Sequence, residues 1–426
     1  MPAFLWTQKE DIGPSPRYGH AMCYDTARQR TLLFGGANDA PLGDSWAWSG
    51  QHWTQVADTG PSPRFDHAMC YDHYSHRALL FGGKSGDQLF SDTWYWDGEN
   101  WTQVEDSGPS ARSGHRMAFD RVRFRAVLFG GRSSAGMMRD TWEWDGQSWT
   151  QVEDAGPPAR YNHGMHYDYV GRNTMLFGGE GDGGTIFADT WQWDGNNWTQ
   201  IEDIGPPACT RPALVSTDAQ LVLFGGISSS ASNPPPTLFD DSWSFGNDQW
   251  TQKQDMGPAA RWGHAMAFDL DRRTIVMFGG HSSAAFDNIQ DLRRDTWEHV
   301  ETEAAPVDPD NPPPPEGSQP SVIELFFEPV PASSGQMTWA HMTLDQPGDG
   351  NTQIQLLWIP ASNVDMSDPN NPQFDPAMLQ SLAIYTVPPG QTKYSDQFTA
   401  PQINGSIVVL ATTDGMTAKF AELQII

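Results

Sequence analysis

Five copies of an Arg-x-x-His motif supply most of the side chains that can bind a ligand. They are Arg17/His20, Arg64/His67, Arg112/His115, Arg160/His163 and Arg261/His264. A guanidinium group binds a carboxylate or a phosphate through two parallel hydrogen bonds, so a group of arginines favours an anionic ligand. The alternative is that each arginine pairs with an aspartate or a backbone group of a neighbouring repeat. The sequence leaves both interpretations open.

The five histidines raise the question of a metal, because a methionine follows each of them at the second position. Metal ligands must lie within about 2 Å of the ion. Histidines from five separate repeats cannot all meet that requirement. We therefore expect these side chains to make hydrogen bonds between repeats, and we expect neither a metal nor another cofactor.

Two variable positions accompany the motif. The residue after each arginine position is aromatic in four of six repeats. A Gly-Gly pair also recurs six times along the chain, and the residue that follows it differs in every copy. Aromatic side chains outside a repeat pattern can anchor a peptide or stack on a sugar. The candidate binding residues are Arg17, Tyr18, Arg64, Phe65, Lys84, Arg112, Arg132, Arg160, Tyr161, Arg211, Arg261, Trp262 and His281. The sector around Arg261, Trp262 and His281 is the most specific prediction.

These residues are embedded in an internal repeat. Gly-Gly pairs at 35, 82, 130, 178, 225 and 279 are 47, 48, 48, 47 and 54 residues apart. An Asp-Ser/Thr-Trp triplet follows each pair, and a Trp-Thr-Gln triplet recurs six times. Because the aspartate recurs in every copy, we expect it to accept hydrogen bonds from local backbone groups at the start of a strand. A fixed period of this length indicates a repeat architecture.

Each repeat is typical of four short strands, a to d, with Asp-Gly turns between c and d in several copies. Four-stranded units with one Gly-Gly and one repeated tryptophan resemble kelch repeats, the units of β-propellers. The resemblance covers residues 1–300 and implies six blades. The chain starts with a d strand and has none after Trp297, so we expect the N-terminal strand to complete the sixth blade.

The remainder of the chain differs in composition. Residues 301–320 are acidic and rich in proline, which is typical of an extended linker. Residues 321–426 contain alternating or apolar runs separated by turn residues, which predict a small β-sandwich. The fold class is therefore all-β, a six-bladed propeller followed by a sandwich domain.

In a propeller the d–a and b–c loops share one face, which we call the variable face. In kelch proteins that act as ubiquitin-ligase adaptors this face grips a peptide, so the resemblance implies a non-catalytic scaffold for a protein or peptide partner. A carbohydrate-binding protein and an enzyme with a site on the same face are the alternatives. The propeller is also similar to the central domain of galactose oxidase, but its copper ligands cannot be placed here, and no catalytic residue is predicted.

Composition narrows the classes of partner. The chain has 53 acidic and 25 basic residues, a net charge of −28, which argues against nucleic acid and anionic membranes and leaves room for an acidic peptide at a basic site. Only three cysteines occur, too few for a disulfide scaffold. No long apolar run or signal peptide is evident, so a cytoplasmic protein without membrane insertion is the default expectation.

Overall fold

The computed structural model describes residues 4–9, 12–105, 107–153, 155–202, 204–229, 236–253, 255–284 and 289–300, and seven strands between 322 and 425. The chain divides into two compact units, Met1–Pro306 and Val307–Ile426. Both are built from strands. No helix among these residues is long and apolar enough to cross a membrane.

The first unit contains six blade sheets, which confirms the six-bladed propeller. Five have four antiparallel strands, and the sixth has four antiparallel strands and a short fifth strand paired in parallel. Strands a to d of each blade are as follows. Blade one has Ala21–Asp25, Arg30–Phe34, Ser45–Trp48 and Trp53–Ala57; blade two has Ala68–Asp72, Arg77–Phe81, Thr93–Trp96 and Trp101–Glu105; blade three has Arg116–Asp120, Arg125–Phe129, Thr141–Trp144 and Trp149–Glu153. Blade four has Gly164–Asp168, Asn173–Phe177, Thr190–Trp193 and Trp198–Glu202; blade five has Ala213–Ser216, Leu221–Phe224, Ser242–Gly246 and Gln249–Lys253; blade six has Ala265–Asp269, Thr274–Phe278 and Thr296–Val300.

The N-terminal strand Phe4–Gln8 is the fourth strand of blade six. It pairs antiparallel with Thr296–Val300, with Trp6 opposite His299 and Gln8 opposite Trp297. It also pairs in parallel with the short strand Asp255–Met256. The expected closure is confirmed: the first and last segments of the ring share one sheet, which leaves no unpaired edge at the seam.

Tryptophans of strand d tie each blade to the one before it. In all six blades the indole Nε1 donates to the Ser or Thr hydroxyl that begins strand c of the preceding blade, for example Trp149 to Thr93 at 2.9 Å and Trp198 to Thr141 at 2.8 Å. At the seam Trp53 donates to Thr296 at 2.8 Å. This contact explains why the second residue of the Asp-Ser/Thr-Trp triplet carries a hydroxyl.

The Gly-Gly pairs lie where one blade touches the next. Gly130 has φ +65°, and a Cβ there would lie 2.7 Å from the Arg160 carbonyl oxygen. Gly131 N donates to that same oxygen at 2.9 Å. Glycine is required because the backbone is left-handed and the adjacent blade's backbone occupies the space of a side chain. The cores are correspondingly layers between neighbouring blades, each containing apolar side chains of two or more sheets.

Shorter elements decorate the loops. The b–c loops of blades two and three form small hairpins, Lys84–Ser85 with Gln88–Leu89 and Arg132–Ser133 with Gly136–Met137. Single 3-10 turns occur at Asp182–Gly184 and Ile289–Asp291.

The second unit contains two antiparallel sheets. One has three strands, Val322–Glu328, Met337–Leu344 and Lys393–Thr399. The other has four, Gln380–Thr386, Gln353–Pro360, Gly405–Thr413 and Lys419–Ile425, in that spatial order. All-β structure is confirmed for this unit, and the packing of its sheets as a sandwich stays a prediction. The proline-rich segment 301–320 lies outside the described residues.

Candidate functional site

The motif arginines are buried ion-pair partners. Arg112 donates from Nη1 and Nη2 to the two carboxylate oxygens of Asp140 at 2.7 and 2.8 Å, and Nη1 also donates to the Gly130 carbonyl at 2.9 Å. The other four make equivalent pairs, Arg17–Asp44, Arg64–Asp92, Arg160–Asp189 and Arg261–Asp295. All five arginines are at most 1% exposed. The geometry therefore matches the pairing alternative except in one respect: each aspartate lies in the same blade as its arginine and not in a neighbouring one. These guanidinium groups do not face an open surface.

The aspartates are the first residues of the Asp-Ser/Thr-Trp triplets. Their role is structural, as expected, but side chains of an arginine and a tryptophan are major partners in addition to local backbone. Asp140 also accepts a hydrogen bond from the Trp142 indole at 2.7 Å. Burial alone would raise the pKa of this carboxyl, but the hydrogen bonds and charge of Arg112 outweigh it and lower the pKa below its usual value. In blade five, where Cys209 replaces the arginine, Asp241 accepts instead from Gln252, and the Trp243 indole nitrogen has no hydrogen-bond partner among the described residues.

The motif histidines pack between blades. His115 Nε2 lies 3.1 Å from the Phe81 carbonyl of the preceding blade, and its ring meets the Phe81 ring edge-on at 5.4 Å. The predicted hydrogen bond between repeats is confirmed at this position. Burial lowers the pKa of all five histidines, to about 3 for His67 and His264. The imidazoles are therefore neutral near pH 7.

The residue that directly precedes each His position forms a feature that the sequence did not reveal. These six residues all have φ between +53° and +68°; they are Gly19, Asp66, Gly114, Asn162, Arg211 and Gly263. The amide nitrogen of each donates to the carbonyl oxygen of the equivalent residue in the preceding blade, over 2.7 to 3.2 Å. The six bonds form a closed circle on the variable face, which we call the backbone ring. Glycine, Asn and Asp tolerate this left-handed conformation best, which was the available signal.

Three members of the backbone ring carry side chains, and these meet. Arg211 donates to both carboxylate oxygens of Asp66 at 2.9 and 3.2 Å. The Asn162 amide oxygen, turned toward Arg211, accepts from Nε and Nη2 at 3.2 and 3.1 Å. Lys84 Nζ lies 3.7 Å from Asp66. Burial would raise the pKa of Asp66, but the charge and hydrogen bonds of Arg211 outweigh it and the pKa is lowered.

The two variable positions of each repeat lie side by side. Isolated β-bridges join the residue after the arginine position to the residue after Gly-Gly; the pairs are Tyr18–Ala37, Phe65–Lys84, Ser113–Arg132, Tyr161–Glu180, Thr210–Ile227 and Trp262–His281. The structure thus brings the two sets of candidate residues together around the backbone ring.

The sector predicted most specifically does not present a surface. Trp262 stacks on His281 with ring centroids 4.9 Å apart and an interplanar angle of 14°. The Arg211 guanidinium carbon lies over the Trp262 ring, 5.3 Å from the ring centroid. Arg261, Trp262 and His281 are each 1% exposed. Their side chains support the face from below.

Apart from Arg211 of blade five, whose side chain is 14% exposed and pairs with Asp66, the accessible part of the candidate set lies on blades one to four. Tyr18, Phe65, Tyr161 and Lys84 are partly exposed, and Arg132 is exposed. Tyr18 packs edge-on against Phe65 at 5.8 Å, and Lys84 Nζ lies 4.8 Å from the Phe65 ring centre. Burial and the nearby Asp66 carboxylate raise the pKa of the Tyr18 hydroxyl, which therefore stays protonated. We call Tyr18, Phe65, Lys84, Arg132 and Tyr161 the exposed patch.

Comparison with known proteins agrees with this architecture. The family model described as the KLHDC2/KLHL20/DRC7 Kelch-repeats domain matches residues 4–150, 45–226 and 125–323. Among solved structures, the one titled "Structure of YjhT" is similar with a TM-score of 0.54 at 14% identity, over 69% of this chain and 97% of that chain. A cryo-EM reconstruction of native E. coli alpha-2-macroglobulin aligns with a TM-score of 0.20 at 9% identity, over 93% of this chain and 27% of the other. No curated protein matches the chain. Three overlapping family matches, six blades and a ring closed by the N-terminal strand together show that this chain belongs to the kelch-repeat family.

Proposed function

We propose that this protein is a non-catalytic scaffold that binds a protein or peptide segment on the variable face, through the exposed patch. Kelch propellers serve in general as platforms for protein interaction, and that general role is the coarser part of the proposal. The single observation that carries the finer part is the exposed patch itself. It combines partly exposed aromatic rings with two cations, around a backbone ring that packing holds rigid.

Aromatic side chains and arginine are the residue types that anchor protein interfaces most often. Phe65 contributes a ring already contacted by Tyr18 and Lys84, so little side-chain freedom remains to be lost on binding. The carboxylates closest to the patch centre, Asp66 and Glu180, are buried. Lys84 and Arg132 keep exposed surface, and Lys84 shares the one Asp66 carboxylate with Arg211, so the two cations can attract an acidic segment in a protein whose net charge is −28.

The carbohydrate-binding and enzymatic alternatives stay predictions. The compartment and the role of the C-terminal unit stay predictions as well.

The experiment is a screen of a displayed peptide library against the full chain. The patch variant carries Phe65→Ser, Lys84→Ser and Arg132→Ser, changes at side chains that are not part of the arginine–aspartate pairs. The matched control carries Val122→Ser and Val170→Ser, which remove exposed apolar side chains from a–b loops on the opposite face.

We expect wild type and the control variant to enrich one acidic, aromatic-containing motif, and the patch variant to lose it. Circular dichroism verifies that all three proteins fold. If the patch variant enriches the same motif as wild type, the variable face is not the binding surface. If enriched motifs lack acidic residues, the charge argument is wrong.

A further inference from the structure

A cavity of about 140 Å³ lies along the propeller axis, beneath the backbone ring. It is lined by residues of strand a from all six blades, with Asp66 and Arg211 at the ring end and Tyr24, Tyr71 and Tyr169 at the other. Its volume is close to that of an engineered protein cavity that accommodates one benzene molecule. The cavity is separate from the exposed patch, and nothing in the proposed scaffold function uses it.

One residue breaks the pattern of this cavity. The position after the motif histidine, or after Pro212 in blade five, holds a small side chain in five blades, Ala21, Ala68, Gly164, Ala213 and Ala265. Blade three has Arg116 there, and its guanidinium lines the cavity. The equivalent residue in the other five blades is alanine or glycine, so the blade architecture does not require a long, charged side chain here. The Arg116 side chain fills space on the propeller axis.

Arg116 lacks the aspartate ion pair that each buried motif arginine makes. Among the described residues it makes one hydrogen bond, from Nη1 to the His115 carbonyl oxygen at 3.1 Å, and no ion pair within 4 Å. A guanidinium has five N–H donors, so most remain for a ligand. Burial lowers the pKa of Arg116 to about 10, which leaves it charged at pH 7.

The surrounding charges also favour an anion. The carboxylate facing Arg116 is Asp66, which already receives Arg211 and Lys84. The neighbouring imidazoles of His67, His115 and His163 are neutral, because burial and the nearby arginines lower their pKa values. Three cations thus share one carboxylate, a local excess of positive charge.

We propose that the axial cavity binds a small monocarboxylate, with its carboxyl group on the Arg116 guanidinium. A bidentate guanidinium–carboxylate pair satisfies two donors at once. The remaining walls include Ala68, Met117 and Cys70, which suit a short hydrocarbon or an aromatic ring rather than a second charge. The cavity volume limits the ligand to about the size of benzoate.

The test is a titration of the full chain with sodium acetate, sodium benzoate and sodium sulfate, followed by calorimetry and thermal unfolding, with sodium chloride as the ionic-strength control. Variant Arg116→Ala restores the alanine found at this position in four blades. Variant Arg139→Ala is the matched control, because it removes an exposed arginine of the same blade that is not part of the exposed patch. We expect saturable benzoate binding and a raised unfolding temperature for wild type and Arg139→Ala. Arg116→Ala should bind about tenfold or more weakly.

A second measurement separates a binding role from a structural one. Without added anion, Arg116→Ala should unfold at a temperature no lower than wild type, because it removes a partly buried guanidinium that makes no ion pair within 4 Å. A clearly lower unfolding temperature would show that Arg116 holds the fold, and the proposal would fail. Equal benzoate binding by Arg116→Ala, or no saturable binding by wild type, would also overturn it. Preference for sulfate over benzoate would overturn the carboxylate class.

Discussion

Replacing Arg112 by methionine tests the claim that the motif arginines stabilise the blades instead of binding a ligand. The substitution keeps an apolar stem of similar length and removes the guanidinium. Asp140, with a side chain only 11% exposed, then loses both of its charged hydrogen bonds. The Gly130 carbonyl and the Ser110 carbonyl each lose a donor as well.

Breaking a buried ion pair by removing one partner costs about 3–5 kcal/mol. Because Asp140 keeps some exposure and the Trp142 bond, we expect a loss near 3 kcal/mol in the free energy of unfolding, roughly 6–12 °C in Tm. The assay is urea unfolding followed by tryptophan fluorescence. The control is Arg132→Met, an exposed arginine of the same blade, which should change stability by less than about 0.5 kcal/mol.

Acid provides an internal check on the mechanism. In Arg112→Met the Asp140 carboxyl is buried without its cation, so its folded-state pKa rises above the unfolded value of about 3.9. The deficit relative to wild type should therefore be largest near neutral pH and narrow as pH falls. A loss below about 1 kcal/mol, or a deficit independent of pH, would refute the reasoning. So would an Arg112→Met protein that keeps wild-type stability but loses partner binding.

Three further predictions follow from burial and backbone geometry. Burial holds the pKa of His67 and His264 at about 3, below the unfolded value near 6.5. The stabilisation is therefore complete above pH 6.5, and below it the free energy of unfolding decreases by about 1.4 kcal/mol per histidine per pH unit. The urea midpoint should fall between pH 7.5 and 5, less steeply for His67→Gln, and a constant midpoint would contradict the prediction. Gly130→Ala should lower the free energy of unfolding in urea more than Gly146→Ala. Both glycines have positive φ, but only a Cβ added at position 130 would meet a backbone oxygen, at 2.7 Å. Equal losses for the two variants would show that φ alone matters. Burial raises the pKa of the Cys209 thiol to about 12, and Cys23 and Cys70 are buried too. Ellman's reagent should therefore react with the three thiols only after unfolding. Fast reaction with the native protein would contradict this burial.

Local pattern was sufficient for the architecture. The Gly-Gly pairs, the triplets and the strand-length runs repeat within each blade, so blade number and strand order follow from residues close in sequence. The N-terminal strand was also predictable, because a missing d strand at one end and a spare one at the other leave a single way to complete the last sheet. The structural role of the triplet aspartates followed from their repetition alone.

The candidate site was predicted only in part, because exposure depends on partners far along the chain. Each motif arginine meets its aspartate 27 to 34 residues later, across a blade whose packing the sequence does not display. Trp262 breaks the repeat and therefore looks like a surface anchor, yet it is buried against His281. The two variable positions of each repeat are joined by a β-bridge, and their role in binding stays a prediction.

The sequence by itself determined a six-bladed kelch propeller, since hydrophobic period, turns and glycines act over a few residues. Only the tertiary structure decided which charges are satisfied. Closing the ring places Asp66 beside Arg211, 145 residues away, and joins six left-handed residues into one hydrogen-bonded circle. It also leaves Arg116 facing the axis without a carboxylate of its own, because the blades that surround it converge there only after all six have assembled.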